Sequence, residues 1–551
     1  IVVLSLIGLL FLLISVITSF ILVHQGYSNK KTNASWVLVG GLTSSSADFR
    51  LRSSGVILTV YRNDATVVFQ TTAAAAASQK EDAMVSAVRV EGLDPNTKYT
   101  YTTSTTTSAK KKTISSGSFT TPGLEGTRFP FSFVTAGCAW TGSQSSIFDS
   151  MKRHNPLFLL QMGDMHYEDI SSNDLAKRIH AFDMTFGSRS QHNLFKDVPL
   201  VYMYDDHDWL GNDSGFQETQ PGARQTALES YRLAIPHYPL QQPNSNSAHA
   251  FTIGTVRFVV SDLRSEARPQ QIYSEEQRDW LFRELRQSYL YDFLIWVTTK
   301  PWIGTPEQGG DNWLGNPNDR QMLAEVLSSL ERRNVLAVSS DAHMTAFDDG
   351  RNTGGNTSNA SFPILQSGPL DRLGSTKGGP FSDGCYATRW ERNHQYSLIQ
   401  FTNDNCLVIT AYRGDETTVL FTKRLCGDNI YGSTASAGTG SCEIPSLSTH
   451  NIVLFTISGA LCLFVGVLSC WYHRILSAGS SATRTHIAIT PFLVLSLWLL
   501  TLGVGIGIPL GHGIPQFDVF PIVLIGLIQM IVVALYVVGW VRHNAVYATY
   551  G

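Results

Sequence analysis

Apolar positions are spread unevenly along the chain: continuous at both ends, alternating with polar positions in the middle. Four unbroken apolar runs, at 1–23, 452–472, 487–510 and 519–541, contain no Lys, Arg, Asp or Glu. Crossing a bilayer takes about 20 such residues, so each is expected to be a transmembrane segment. The first reads as an anchor or signal-anchor, with a cleaved signal peptide as the other reading. His473, Arg474, Arg484 and His486 lie between the second and third runs, while 511–517 holds neither Lys nor Arg. Basic loops stay cytosolic, which puts residues 25–450 on the other side, although Lys30 and Lys31 oppose this. The expectation is a multi-pass membrane protein, with the lipid bilayer as a partner and the large region extracellular or lumenal.

Within that region, residues 33–122 show short two-residue periodicity, as in Val56-Ile57-Leu58-Thr59-Val60 and Ala87-Val88-Arg89-Val90. Turn residues such as Asp94-Pro95-Asn96 separate the runs, which predicts an all-β sandwich. The stretch from Gly92 to Tyr101 resembles the late hairpin of a fibronectin type III-like domain. The Ser/Thr-rich stretch 102–116 reads as a loop or exposed edge, and Thr121-Pro122-Gly123 as a linker. From 130 to 430 the pattern becomes mixed. Strands are predicted at 131–136, 157–161, 200–204, 256–260, 293–298 and 335–338, with helices at 145–153, 275–288 and 319–332, which argues an α/β domain. A Ser/Thr/Gly-rich stalk follows at 432–450.

Composition narrows the possibilities. The 551 residues carry a net charge of −3, and no nucleic-acid-binding surface is evident. Cys385, Cys406, Cys426 and Cys442 form an even group compatible with two disulfides of unspecified pairing. Asn33, Asn212, Asn356 and Asn359 each begin a glycosylation tripeptide, which agrees with an extracytosolic glycoprotein.

The chemistry gathers at strand ends. The strand candidates run into Gly137-Cys138, then Gly163-Asp164-Met165-His166-Tyr167-Glu168-Asp169, Asp205-Asp206-His207-Asp208, Asp262-Leu263-Arg264 and Ser340-Asp341-Ala342-His343. Only the 293–298 strand does not. Ligands of open α/β sheets bind beyond the carboxyl ends of strands, so these five endings are expected to converge. Carboxylates suit hard cations, while imidazole, phenolate and thiolate suit iron or zinc. Asp164 could bridge two ions, and a metal pair clamps the attacking and leaving oxygens of a phosphoryl transfer. The Arg264 fork matches phosphate oxygens.

These segments, with Ala136-Gly137-Cys138, Tyr204 and Asp311-Asn312-Trp313, resemble the PhoD-like alkaline phosphatases of the calcineurin-like metallophosphoesterase superfamily. The resemblance implies a layered αββα domain behind a β-sandwich, hydrolysing phosphomonoesters or phosphodiesters with Fe(III) and Ca²⁺; other divalent metals are compatible. It assigns Cys138, Asp164, Tyr167, Asp206, Asp341 and His343 to metal. His207 and Arg264 become catalytic, and Arg264 and His166 contact substrate. Two positions depart from the family: Asp208 replaces a Glu, and Ala342 replaces a basic residue. Membrane spans are an addition to the family pattern. Competing expectations are a receptor or adhesion protein with an inactive phosphatase fold, and a transporter. The retained ligand positions argue against the first, and the lack of charges inside the spans against the second.

Overall fold

The computed structural model describes residues 35–74, 81–107, 110–217, 220–304, 311–353, 361–375, 378–387 and 393–431. Strands β1 (Val37–Thr43), β2 (Ser46–Leu51) and β5 (Ser86–Glu91) make one antiparallel layer. Strands β3 (Val56–Arg62), β4 (Val67–Ala73), β6 (Lys98–Thr107) and β7 (Lys110–Thr120) make a second, in the order β4-β3-β6-β7. The alternation that predicted β3 sends Val56, Leu58 and Val60 inward against Val39, Phe49 and Leu51 of the opposite layer. The Ser/Thr-rich stretch read as a loop or exposed edge belongs mostly to strands β6 and β7, with β7 at the edge of its sheet. Its β-branched threonines favour extended backbone.

The larger region holds two further sets of strands. Its first set is β8 (Phe131–Ala136), β9 (Phe158–Met162) and β10 (Leu200–Met203), flanked by β18 (Gln395–Phe401), β19 (Cys406–Arg413) and β20 (Val419–Cys426). The second sheet runs β11-β12-β13-β14-β16-β15-β17, from β11 (His249–Ile253), β12 (Val256–Val260), β13 (Phe293–Val297) and β14 (Val335–Ser339) to β16 (Ile364–Gln366), β15 (Thr345–Asp348) and β17 (Asp383–Tyr386). Phe133, Leu160, Met162 and Val201 point from the first sheet into a shared apolar layer with Phe258, Ile295 and Val338 of the second. Their sequence neighbours Val134, Leu159 and Leu200 point the other way. They pack on α1 (Ile147–Arg153), α2 (Leu175–Phe186), α3 (Arg189–Phe195) and α5 (Ala223–Ala234), with the single-turn α4 (Asp206–Trp209) between. The outer face of the second sheet is covered by α6 (Glu275–Arg286) and α7 (Pro317–Ser328) through Leu281, Leu285, Leu323 and Leu327. The result is an αββα arrangement.

The two parts share one sheet. Strand β1 pairs in parallel with β10 at Gly40 and Leu200, so a nine-stranded sheet runs β20-β19-β18-β8-β9-β10-β1-β2-β5. Side chains seal the junction: Asp183 of α2 accepts from the Trp36 indole at 2.8 Å and from Arg52 at 2.8 and 3.1 Å. Strands β19 and β20 are cross-linked by Cys406–Cys426, and Cys385 is also disulfide-bonded.

The expected membrane architecture is corrected. Among the described residues no helix is long and apolar enough to cross a membrane. The runs at 1–23, 452–472, 487–510 and 519–541, and the 432–450 stalk, lie outside the described residues. The described residues form an αββα domain with an amino-terminal β-rich region, and among them no transmembrane helix flanks it. Multi-pass localisation, membrane anchorage and the bilayer partner therefore have no structural basis and are withdrawn.

Candidate metal centre

The strand endings converge because β8, β9 and β10 are parallel neighbours in one sheet and β12, β13 and β14 in the other. Both sets deliver their carboxyl ends to one edge. Two glycines allow the approach. A Cβ on Gly163, whose φ is +83°, would overlap the Cβ of Asp205, and one on Gly137 would overlap the Ser340 hydroxyl. Cys138, Asp164 and His343 themselves have φ values of 60°, 50° and 52°. This left-handed backbone is costly for side-chain-bearing residues and turns each donor off its strand.

Donor atoms of Cys138, Asp164 and His343 lie within 4.8 Å of one another. The Tyr167 hydroxyl donates to Asp164 Oδ2 at 2.7 Å and is 3.1 Å from His343 Nε2. His343 Nδ1–H donates to the Leu373 carbonyl at 3.0 Å, which turns Nε2 towards the donor cluster. Three more groups meet the same 4.8 Å limit: Asp164, Asp206 and His207; Asp205, Asp206 and Asp341; and Asp206, Asp213 and Asp311. Asp164 joins the first two groups and Asp206 the last three, so the clusters form one chain of donors.

This donor set fits cations. Asp164 Oδ1, Asp205 Oδ2 and Asp206 Oδ1 are buried without a hydrogen-bond partner, an arrangement that is costly unless an ion fills it. Burial, reinforced by the Asp206 carboxylate, pushes Asp164 well above the usual carboxylate range. Burial pushes the Cys138 thiol up too, with Asp164 and Asp341 adding to it. Asp206 differs. Burial would raise it, but Arg264, His207 and the Asp213 N–H outweigh that and hold it below its ordinary value.

The remaining sequence candidates take distinct places. His207 Nδ1 is 2.6 Å from Asp169 Oδ1, and its ring centroid is 4.1 Å from that of Tyr167. Burial disfavours its proton, but the Asp169 bond and the Asp164 and Asp206 charges win and raise it to about 9. The contribution of Asp169 does not depend on whether Asp164 and Asp206 hold cations. Arg264 is wholly buried. Its Nε donates to Asp205 and its two terminal nitrogens to Asp311, at 2.8 and 3.0 Å. The fork expected to meet phosphate is thus filled by carboxylates. His166, expected at substrate, is also enclosed: its ring packs edge-on against Phe182, and burial lowers it to about 3.

Several site residues were missed in the sequence. Asp205 was given no role of its own within Asp205-Asp206-His207-Asp208, yet it joins the donor chain and accepts from Thr299 at 2.9 Å. Thr299 and Lys300 follow β13, the one strand read as lacking a polar ending, and Lys300 pairs with Asp311 at 2.9 Å. A lysine at a strand end was the available signal. Asp208 accepts from the backbone N–H groups of Met165, His166 and Asp205 at 2.8, 3.1 and 3.2 Å. It ties the second metal loop to the first rather than ligating.

Residues 131–378 match the family described as PhoD-like phosphatase. The fold is similar to a solved structure of PhoD, at 16% identity and a TM-score of 0.56, covering 74% of this chain and 94% of that one. It is also similar to the purple acid phosphatase PPD1 from yellow lupin (Lupinus luteus) seeds, at 11% identity and a TM-score of 0.50, covering 76% and 77%. No curated protein matches. The family match, the fold and the Asp/His clusters make residues 131–378 a PhoD-like metallophosphoesterase domain, and the chain a metal-dependent phosphoric ester hydrolase.

Proposed function

We propose that the chain hydrolyses phosphomonoesters or phosphodiesters at a centre holding an Fe(III) ion and at least one Ca²⁺. Cys138, Tyr167, Asp164 and His343 form the iron side, since thiolate, phenolate and imidazole suit iron. The carboxylates of Asp206, Asp205 and Asp341 form the calcium side, since calcium takes oxygen donors. The observation that supports this most is the sharing of Asp164 and Asp206 between clusters. Cations bound there supply Lewis-acid neutralisation of the phosphoryl oxygens. His207, oriented by Asp169, donates a proton to the departing ester oxygen. Arg264 and Lys300 hold Asp205 and Asp311 in place from behind.

The test is metal analysis of the purified protein alongside hydrolysis of p-nitrophenyl phosphate and bis-p-nitrophenyl phosphate. Iron with calcium, and a visible tyrosinate-to-iron band lost in Tyr167→Phe, are expected. An active but colourless, iron-free protein would refute the iron assignment; a metal-loaded protein inert to both esters would refute the function.

A further inference from the structure

With Arg264 enclosed by carboxylates, the guanidinium expected to meet phosphate is already engaged. We propose that Arg372 binds the phosphoryl group of the substrate, an inference that rests on the phosphoesterase reading above. Its guanidinium carbon lies 3.7 Å from the Tyr167 ring centroid and 4.7 Å from that of Trp140. Tyr167 in turn touches Asp164 and His343. The guanidinium therefore stands one aromatic ring away from the donor cluster. Arg372 is half-buried, and among the described residues no carboxylate pairs with it, in contrast to Arg264 and Lys300. Its Nε is enclosed without a hydrogen-bond partner.

The backbone that presents Arg372 is braced on both sides. Asp371 accepts from the Trp140 N–H at 2.6 Å and from the Ser143 hydroxyl. On the other side, the Leu373 carbonyl accepts from His343 Nδ1 at 3.0 Å, and the Ser375 N–H donates to the His343 carbonyl at 3.1 Å. One short segment thus orients both a donor histidine and a cation. It also reaches Ala342, whose carbonyl accepts from the Ser375 hydroxyl at 2.8 Å. Ala342 is fully buried. Arg372 places a positive charge in that neighbourhood from a different loop. A guanidinium offers phosphate two parallel donors, whereas an ammonium acts as a point charge.

The test compares the metal-loaded protein with R372A and R372K. Metal content, KM and kcat for p-nitrophenyl phosphate, and calorimetric binding of inorganic phosphate are measured. R372A should keep its metals, while phosphate binding weakens and KM rises by about 10–100-fold, the usual weight of a hydrogen bond to a charged group. R372K should recover part of the loss. Unchanged phosphate binding and KM in R372A would overturn the proposal. So would metal loss in both variants, because Arg372 would then serve Tyr167 and the metal centre rather than substrate. Failure of the phosphoesterase reading shows elsewhere, as a metal-loaded unsubstituted protein that cleaves no ester. Phosphate binding needs no turnover and still judges Arg372.

Discussion

At the level of single side chains, the proposed metal ligand and the proposed proton donor have different surroundings. Asp164 is buried and common to two donor groups, so Asp164→Asn should lose bound metal and activity together. His207 is held by Asp169 at the rim, so His207→Ala should retain its metals. It should lose about 10²–10⁴-fold in turnover of esters with poor leaving groups, and less with phenolic ones. Equal losses on both ester types would remove His207 from that role. A second residue reports on pH. Burial lowers His249 from its ordinary 6.5 to about 4, with its Nδ1 bonded to the Ser247 carbonyl. Its folded pKa is depressed, so the unfolded chain takes up the proton first. The stabilisation is complete above pH 6.5 and is lost as pH falls towards 4, by up to about 3 kcal/mol. His249→Phe should flatten the denaturation midpoint across that window; an unchanged slope would clear His249. The convergence of the donor residues was legible because carboxylate, imidazole and thiol after an apolar run have few structural uses. The enclosure of Arg264 and His166 was not, because sequence shows a side chain's chemistry but not whether its partners reach it first.

Helix α2 joins elements that the sequence left unconnected. Arg178 lies on it, wholly buried, and donates to the carbonyls of Ile170 at 2.6 Å and Trp209 at 2.8 Å. The first follows the Asp164 loop, and the second ends the Asp206 helix. Thr185, two turns on, donates to the Met165 carbonyl at 3.3 Å. Arg178→Met should therefore strip two carbonyls of their partner, costing about 1–3 kcal/mol. It should also weaken metal binding about 10–100-fold, although Arg178 touches no proposed ligand. Titration of metal into the stripped variant decides this, and wild-type affinity would show that the loops hold themselves. Strands β8, β9, β10, β12, β13 and β14 were readable because each is a buried apolar run. Helix α2 was not: Asp183, Arg178 and Thr185 interrupt its apolar face, and only the tertiary structure pairs them.

At the scale of the whole molecule, the sandwich is part of the catalytic domain's frame. Strand β1 covers the edge of β10, and Trp36 and Arg52 neutralise Asp183. Deleting residues 35–121 should expose that edge and leave a buried carboxylate unpaired. The remaining chain is expected to be insoluble, or to show no cooperative melting by circular dichroism. A truncated protein with full activity would mean that the sandwich is an independent module. Linker composition and the change of periodicity near residue 122 suggested two beads on a string. A single parallel pairing at Gly40 carries no sequence signal, and so the shared sheet was not foreseen.

The order of strands in that sheet also sets a timetable for synthesis. Strand β8 lies between β9 and β18, and its partner across Phe131 is Phe401. A ribosome adding about 5–20 residues per second needs roughly 15–55 s for the roughly 270 residues between them. During that interval one side of β8 has no partner strand, although Phe133 can already meet Phe158 and Phe258. Nascent chains stalled before Gln395 should therefore be the species most prone to self-associate and most dependent on chaperones, more so than chains released only a few dozen residues later.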